Sequence, residues 1–249
     1  MDKKKILLLG GAGYLGQWIF DGLLMSHKYK VDIIDKKYYG NDLFSSLYFV
    51  GSDVRTDLQK IDINQYDSII NVAAIVGDGA SKINPKIAED TELIPLQYLK
   101  DNYKGFLIWT SSCSVYGDSG GSDILTESSN TNPLSPYAEI KLKGEQILKD
   151  RPNTLILRLG TLYGYSLSNR QRFDLVVNKF AIDCMSKKEI TVFNGGQYRP
   201  LLFVSDAAKA IVKAIDNSDL RTKFSIYNLC EGNYTIDEIA DIFHKTFKY

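Results

Sequence analysis

Three glycines spaced three residues apart follow the first apolar run of the sequence. Gly10, Gly13 and Gly16 separate a predicted strand at residues 5–9 from a predicted helix at residues 14–25. Because glycine has no side chain, such a turn brings the backbone N–H groups of a helix N-terminus close to a pyrophosphate. The motif therefore predicts a nucleotide-binding strand–turn–helix unit, against the alternative of a tight turn that binds no ligand.

Asp35 adds a second indication of nucleotide binding. It lies nineteen residues beyond Gly16, at the end of a predicted strand at residues 31–34. A carboxylate in this position accepts hydrogen bonds from an adenosine ribose. It also repels the 2′-phosphate of NADP, although Lys36 and Lys37 follow it and offset part of that repulsion. The sequence therefore favours NAD over NADP as the cofactor.

Strand and helix patterns then alternate over about 150 residues. The predicted strands lie at residues 48–50, 68–72, 106–109 and 154–157, and the predicted helices at residues 85–102 and 137–148. This alternation is typical of an α/β fold with a doubly wound parallel sheet, the Rossmann architecture.

The pattern is less regular after residue 158. The elements expected there are a loop at 160–172, a helix at 173–185, a strand at 190–193, an extended segment at 201–204, a helix at 206–215 with Ser205 as its N-cap, a strand at 224–228, and a helix through residue 247 capped by Thr235. We therefore expect a dinucleotide-binding domain from residues 1–160 and 200–229, and a small substrate-binding lobe from residues 161–199 and 230–249.

Length and charge exclude several other functions. The 249 residues suit one large domain or two small ones, and 30 Lys plus Arg balance 30 Asp plus Glu. A chain without net charge has no long-range attraction for nucleic acid or for an anionic membrane. Its apolar runs are shorter than the ~18 residues of a membrane span, and its start has no leader pattern. We therefore expect a cytoplasmic protein whose partner is a small molecule.

Cysteine and histidine usage argues against metal binding and against Ser-His-Asp hydrolysis. Cys113, Cys184 and Cys230 form no CxxC pair, and the two histidines, His27 and His244, lie in helix-like stretches. We expect no bound metal and no histidine base.

A serine, a tyrosine and a lysine form a candidate catalytic set. Ser112 follows the predicted strand at 106–109, and Tyr137 and Lys141 lie four residues apart on the next predicted helix. That spacing puts both side chains on one helix face, where the ammonium can lower the phenol pKa from its usual ~10. Ser112 would orient a substrate oxygen while Tyr137 transfers its proton and a nicotinamide transfers hydride. The alternative for the tyrosine–lysine pair is an exposed helix face.

Several segments resemble the extended short-chain dehydrogenases/reductases, specifically the NAD-dependent epimerase/dehydratase family, over nearly the whole chain. These segments are GGAGYLG at 10–16 with Asp35, GSDVR at 51–55, NVAA at 71–74, SSCSVYG at 111–117, SPYAEIK at 135–141, RLGTLYG at 158–164 and YR before PLLFV at 198–204.

The resemblance assigns roles to individual residues. It implies cofactor contacts, together with the glycines and Asp35, for Tyr14, Leu15, Lys36, Asp53, Val54, Ala73, Ala74, Tyr137 and Lys141. It implies that Ser112, Tyr137 and Lys141 are catalytic and that Ser112, Thr161, Asn178 and Arg199 contact a nucleotide sugar. The guanidinium of Arg199 suits the diphosphate. A homodimer built from the helices around residues 85–102 and 136–149 is also implied.

The sequence departs from the family pattern in five respects. Thr161 stands where family members often have an asparagine. Cys113 and Ser114 replace the Asp-Glu pair of the dehydratases, which disfavours dehydration. Cys113 has no histidine nearby in sequence to complete an acid/base pair and is interpreted as a small buried residue. Glu92 replaces an asparagine on the nicotinamide side. The chain ends at Tyr249, where relatives continue, so a minimal or truncated substrate lobe is expected.

Two functional hypotheses remain from the sequence. The first is an NAD-dependent nucleotide-sugar 4-epimerase or C4 oxidoreductase, favoured by the intact catalytic set. The second is a cofactor-binding family member with weak or no catalysis that serves a regulatory or interaction role, favoured by Glu92 and the early end of the chain.

Overall fold

Strands and helices alternate along the residues that the computed structural model describes, which are 3–38, 40, 46–118, 124–187 and 189–247. Within these residues the strands are β1 Lys4–Leu9, β2 Tyr29–Ile34, β3 Phe49–Gly51, β4 Ser68–Asn71, β5 Phe106–Ser112, β6 Thr154–Leu159, β7 Thr161–Tyr163, β8 Tyr198–Phe203, β9 Phe224–Leu229 and β10 Gly232–Thr235. The helices are α1 Tyr14–Met25, α2 Asp78–Ile83, α3 Pro85–Asn102, α4 Pro136–Leu148, α5 Val176–Lys187, α6 Val204–Ile215 and α7 Ile236–Phe247.

Seven of the described strands form one parallel sheet in the order β3-β2-β1-β4-β5-β6-β9. The order runs outward in both directions from β1 and β4, which confirms the predicted doubly wound Rossmann architecture. Helices cover both faces of such a sheet, so its central strands are apolar throughout. β4 and β6 accordingly have every side chain buried.

The two faces of this sheet carry separate cores. On one face α1 packs beside α6, and Phe20 and Ile211 are buried between these helices and the sheet. On the other face α3 packs beside α4, and Leu96 of α3 and Trp109 of β5 are buried there. α4 comes so close that a Cβ atom on its Gly144 would lie 2.5 Å from the ring of Trp109.

A second, three-stranded sheet has the order β10-β8-β7. β8 pairs antiparallel with β10 and parallel with β7. α5 and α7 pack together beside this sheet around Phe180, Leu201 and Ile239. The predicted domain boundary at residue 200 falls inside β8. The helix that follows β8, α6, packs on α1.

Three local predictions in the second half of the chain are wrong. Residues 190–193 form no strand, although Ile190 and Val192 pack against the core beside α5 and α7. α6 begins at Val204, and the buried Ser205 therefore lies within its first turn rather than at its N-cap. The segment at 160–172 contains the short strand β7.

The start of α7 is as predicted. Thr235 Oγ1 accepts a hydrogen bond from the backbone N–H of Glu238 at 3.1 Å, and the Glu238 carboxylate accepts one from the Thr235 N–H at 2.7 Å. This reciprocal arrangement satisfies two N–H groups that the helix itself leaves unpaired. Among the helices in the described ranges, none is long and apolar enough to cross a membrane.

Candidate active site

A cleft of about 1210 Å³ lies where the carboxyl ends of β1, β4 and β5 face the second sheet. The predicted site residues that line it are Gly10, Gly13, Tyr14, Leu15, Gly16, Asp35, Lys36, Asp53, Val54, Ala73, Ala74, Ser112, Tyr137, Lys141, Thr161 and Arg199. One cleft of this size can hold a dinucleotide and a second ligand side by side. Of the predicted set, Asn178 alone is not in its lining.

The glycine turn leaves no room for side chains. Gly10 has a φ of 85°, a conformation that favours glycine, and a Cβ on Gly16 would lie 2.1 Å from the carbonyl oxygen of Gly10. Gly13 occupies the N-cap of α1 without a capping side chain. The N-terminus of α1 therefore faces the cleft with its backbone, which fits the pyrophosphate of a dinucleotide.

Asp35, which directly follows β2, stabilises this turn. Its carboxylate accepts hydrogen bonds from the backbone N–H of Ala12 at 2.9 Å and of Lys37 at 2.6 Å. Burial raises its pKa, and these two hydrogen bonds oppose that effect. Each carboxylate oxygen retains capacity for a further donor, so Asp35 fits an adenosine ribose.

The two lysines after Asp35 have other partners. The ammonium of Lys36 lies 2.9 Å from the carboxylate of Asp53, and that of Lys37 lies 3.7 Å from the ring centre of Phe49. Arg55 also binds Asp53, at 2.7 Å, and the two cations, Arg55 first, hold the pKa of Asp53 well below its usual range. Because both ammonium groups already have partners, the two lysines can offset less of the repulsion between Asp35 and a 2′-phosphate.

Ser112 and Tyr137 meet in the middle of the cleft. Ser112 ends β5, where its Oγ accepts hydrogen bonds from Ser114 N at 3.1 Å and from Ser114 Oγ at 2.9 Å. Tyr137 lies in the first turn of α4, whose N-cap is Ser135, and its hydroxyl lies near the Ser112 side chain, which acts to lower the pKa of Tyr137. A substrate hydroxyl placed here would contact both oxygens.

Lys141 lies one helical turn below Tyr137 and is buried. Its ammonium forms an ion pair with Glu92 of α3, donates to the carbonyl oxygen of Thr110 at 2.8 Å and lies 5.6 Å from the ring centre of Tyr137. Desolvation lowers the pKa of Lys141, but the neighbouring carboxylate and phenol outweigh that effect and raise it.

The charge of Lys141 acts to lower the pKa of Tyr137, in the predicted direction, but the pKa is raised overall. Desolvation is the largest cause, and the Glu92 carboxylate adds to it. The charges of Lys141 and Arg172 act in the opposite direction but do not prevail.

Arg172 is a cleft residue that sequence reasoning missed. It is buried in the cleft wall, where Asp174 binds its guanidinium through two hydrogen bonds of 2.7 and 2.6 Å. Its charge acts on both Tyr137 and Tyr14. An arginine in a predicted loop carries no local signal that it turns inward, so only the folded structure reveals it.

Asn178 of α5 binds Tyr14 of α1 and the backbone of residues 164 and 172 instead of lining the cleft. Its amide nitrogen donates to Tyr14 Oη at 3.3 Å and to the Arg172 carbonyl at 2.9 Å, and its amide oxygen accepts from the Gly164 N–H at 2.9 Å. The predicted substrate contact would require this amide to leave its partners. Arg199 does face the cleft, where it donates to the Gln197 amide oxygen at 2.8 Å.

Cys113 faces the cleft but is poorly suited to acid–base chemistry. Its thiol donates a hydrogen bond to the Arg158 carbonyl at 3.3 Å, and burial raises its pKa to about 12. Within the described ranges, no group of three or more His, Cys, Asp and Glu side chains is arranged to hold a metal ion.

The sequence from residue 6 to residue 230 matches the model of the NAD dependent epimerase/dehydratase family. This chain belongs to that family. NAD is therefore its cofactor, in agreement with the glycine turn, with Asp35 and with the sequence prediction.

Relatives include both epimerases and dehydratases. An uncharacterised UDP-glucose epimerase of Bacillus subtilis, YtcB, is 28% identical over 87% of this chain and 74% of its own length. A dTDP-glucose 4,6-dehydratase of Neisseria gonorrhoeae is 25% identical over 90% of this chain and 72% of its own. The chain is thus an NAD-dependent enzyme of the nucleotide-sugar-modifying kind, whose reaction these likenesses leave open.

The fold of this chain is also similar to that of a solved epimerase structure. The UDP-N-acetylglucosamine 4-epimerase from Methanobrevibacter ruminantium, in complex with UDP-N-acetylmuramic acid, superposes with a TM-score of 0.82 at 25% identity, over 100% of this chain and 84% of that one.

Proposed function

We propose that this protein is a nucleotide-sugar 4-epimerase, or an oxidoreductase acting at C4, that uses NAD. The observation that carries the proposal is the placement of the Tyr137 hydroxyl near Ser112 and above Lys141, in the cleft that the glycine turn also lines. Epimerases among the relatives support this choice of reaction.

Each residue of the catalytic set has a separate task in this reaction. Ser112 orients the C4 hydroxyl of the sugar, and Tyr137, as the phenolate, takes up its proton at Oη as the C4 carbon loses a hydride. When bound, NAD accepts that hydride and can return it. Lys141 fixes the tyrosine and, with two of its three donors used by Glu92 and Thr110, has one left for a cofactor ribose.

Arg199 and Thr161 supply the second half of the proposed site. Both line the cleft on the side of the second sheet, where Arg199 would bind the diphosphate of the nucleotide. The proposal disfavours dehydration, because the thiol of Cys113 and the hydroxyl of Ser114 stand where an acid and a base would be needed.

The proposal includes a homodimer formed by the exposed faces of α3 and α4. These helices pack side by side, and Ile94 of α3 is 40% exposed. Their pairing with a second copy would form a two-fold four-helix interface. Sedimentation equilibrium of the purified protein tests this part, and a monomer at micromolar concentration would contradict it.

The activity is tested on a panel of UDP-, GDP-, dTDP- and CDP-sugars, each with and without added NAD. NADH absorbance is followed and the products are separated by chromatography. An isomeric sugar without net NADH establishes an epimerase, and stoichiometric NADH with a keto-sugar establishes a dehydrogenase. Silence across the panel, with NAD bound, would contradict the proposal and favour a non-catalytic family member.

Tyr137→Phe is expected to lower kcat by about 100-fold or more, because general acid–base catalysis contributes 10²–10⁴. NAD affinity and the melting temperature should change little, since the ring remains. Tyr227→Phe, at a tyrosine on β9 that is 42% exposed, is the matched control and should leave kcat unchanged. Retention of wild-type kcat by Tyr137→Phe would contradict the assigned role.

A further inference from the structure

A buried ion pair joins α3 to α4 directly beneath Tyr137. The relative exposure of Glu92 is 1% and that of Lys141 is 2%. The Glu92 carboxylate accepts a hydrogen bond from the ammonium of Lys141. Burial raises the pKa of Glu92, whereas Lys141 and the side chain of Trp109 act to lower it. Both partners are donors, which is the arrangement that an ionised carboxylate requires.

Burying two charges is costly unless they are paired and hydrogen-bonded. Here the ammonium also donates to the Thr110 carbonyl at 2.8 Å and lies 5.1 Å from the Trp109 ring centre. The ion pair therefore fixes Lys141 against the end of β5, at one position relative to Tyr137.

The charges around Tyr137 come from four elements. Lys141 lies on its own helix, Glu92 lies on α3, and Arg172, which is paired with Asp174, lies in the segment before α5. Glu145 of α4 faces Lys141 from the other side, but Arg158 of β6 binds both of its carboxylate oxygens at 2.9 and 2.7 Å. Among these charges, Lys141 acts most strongly on the pKa of Tyr137 and Glu92 comes next, ahead of Arg172.

We propose that Glu92 is a positioning residue that clamps Lys141 and cancels its charge, so that Tyr137 keeps its proton to higher pH than it would with a neutral residue at position 92. The inference rests on the proposed function in assigning proton transfer to Tyr137. It goes beyond that function by naming the residue that sets the pH range of the site. The raised pKa of Tyr137, to which burial contributes most and Glu92 adds, agrees with it.

The test compares Glu92→Gln with Glu89→Gln. Glu89 also joins α3 to α4, through an exposed ion pair with Lys143 at 2.7 Å, so its variant removes a similar contact away from Tyr137. Ionisation of Tyr137 is followed by tyrosinate absorbance, as the difference between each protein and its Tyr137→Phe derivative. Glu92→Gln should shift the onset of the difference signal to lower pH by about one unit or more, a tenfold change in the ionisation equilibrium. Glu89→Gln should not shift it.

Enzyme kinetics give a second readout on the same proteins. The pH at which kcat changes in the alkaline range should shift in Glu92→Gln by the same amount as the tyrosinate signal. KM should change less than kcat. A Glu92→Gln protein with the wild-type titration and pH profile would overturn the inference while leaving the proposed function intact. Conversely, a shifted titration in a protein that is silent on every sugar would uphold the charge effect and contradict the proposed function.

Loss of the carboxylate leaves a buried ammonium, so Glu92→Gln could fail to fold. Lys141→Met and the double variant Glu92→Gln/Lys141→Met then decide the question. If Glu92 cancels Lys141, removal of Lys141 alone raises the onset pH, and removal of both charges restores the wild-type onset. Equal shifts in the single and double variants would overturn the inference.

Discussion

At the scale of the single residue, Cys113 shows how surroundings decide reactivity. It lines the cleft next to Ser112, yet its thiol donates to a backbone carbonyl and burial raises its pKa to about 12. A thiol must ionise before it acts as a base or a nucleophile. The position of Cys113 in the cleft therefore does not make it reactive.

Cys113 is expected to resist alkylation at pH 8. With a pKa of about 12, its thiolate fraction there is about 10⁻⁴, against about a quarter for an unperturbed thiol. Iodoacetamide labelling followed by peptide mass spectrometry should modify the exposed Cys230 well before Cys113. Labelling in urea, where both thiols are free, gives the control. Faster modification of Cys113 than of Cys230 in the folded protein would show that its thiol is activated.

The residues that the sequence predicts best are those whose role depends on local chain geometry. The turn glycines and the Tyr137–Lys141 spacing are set within one strand–turn–helix unit or one helix, and all these residues line the cleft. Glu92 and Arg172 act through contacts with distant segments, which spacing cannot reveal. The resemblance places Asn178 near substrate, but its amide is bound to Tyr14 and to the backbone of 164 and 172.

At the scale of the element, the N-terminus of α1 depends on glycines that differ in how much space surrounds them. Gly16 packs its Cα against Gly10, whereas Gly22, two turns later in the same helix, has the side chain of Val212 as its near neighbour. A methyl group added at Gly22 would lie 3.4 Å from that side chain, an ordinary contact distance. The same substitution therefore has opposite consequences at the two positions.

Gly16→Ala should distort the turn, lower the melting temperature and weaken NAD binding by tenfold or more, because its Cβ would lie 2.1 Å from the Gly10 oxygen. Gly22→Ala should stabilise the helix by up to about 1 kcal/mol and leave NAD affinity unchanged. Calorimetric NAD titration and thermal unfolding measure both effects. Equal NAD affinities in the two variants would contradict the assigned role of the turn.

The strands of the parallel sheet are predictable because their environment is uniform. Both faces of β4, β5 and β6 are covered, so each appears in the sequence as a continuous apolar run. β7 and β10 have three and four residues, none of them buried, and their pairing depends on β8. Their sequences therefore contain too few apolar residues to distinguish them from loops.

At the scale of the whole molecule, Asp216 connects the end of α6 with β1 and β2. It follows α6, and its carboxylate binds Lys4 of β1 at 2.7 Å, Lys28 at 3.4 Å and the Tyr29 hydroxyl at 3.0 Å. Hydrogen bonding from Lys4, the largest favourable contribution, lowers the pKa of Asp216.

Asp216→Asn should reduce the free energy of unfolding at pH 7 by about 0.2–1 kcal/mol, the range for exposed ion pairs. A carboxyl whose pKa is lowered by folding stabilises the protein above its unfolded pKa, and this contribution is lost as the pH falls through the folded value. The difference between wild type and variant should therefore shrink below about pH 4. Urea unfolding at pH 7, 5 and 3.5 measures it, with Asp101→Asn on α3 as the control. A difference that stays constant with pH would exclude this role for Asp216.

The hydrogen bonds between α1 and the segment after β7 have a consequence for protein engineering. Tyr14 Oη donates to the Gly164 carbonyl at 2.6 Å, and Trp18 Nε1 donates to the Tyr165 carbonyl at 3.1 Å. The helix that presents the cofactor turn thus also supports the segment that carries Arg172. A chimera that imports residues 161–199 from another family member must therefore reproduce the backbone path at residues 164 and 165, or Tyr14 and Trp18 will lose their hydrogen-bond acceptors.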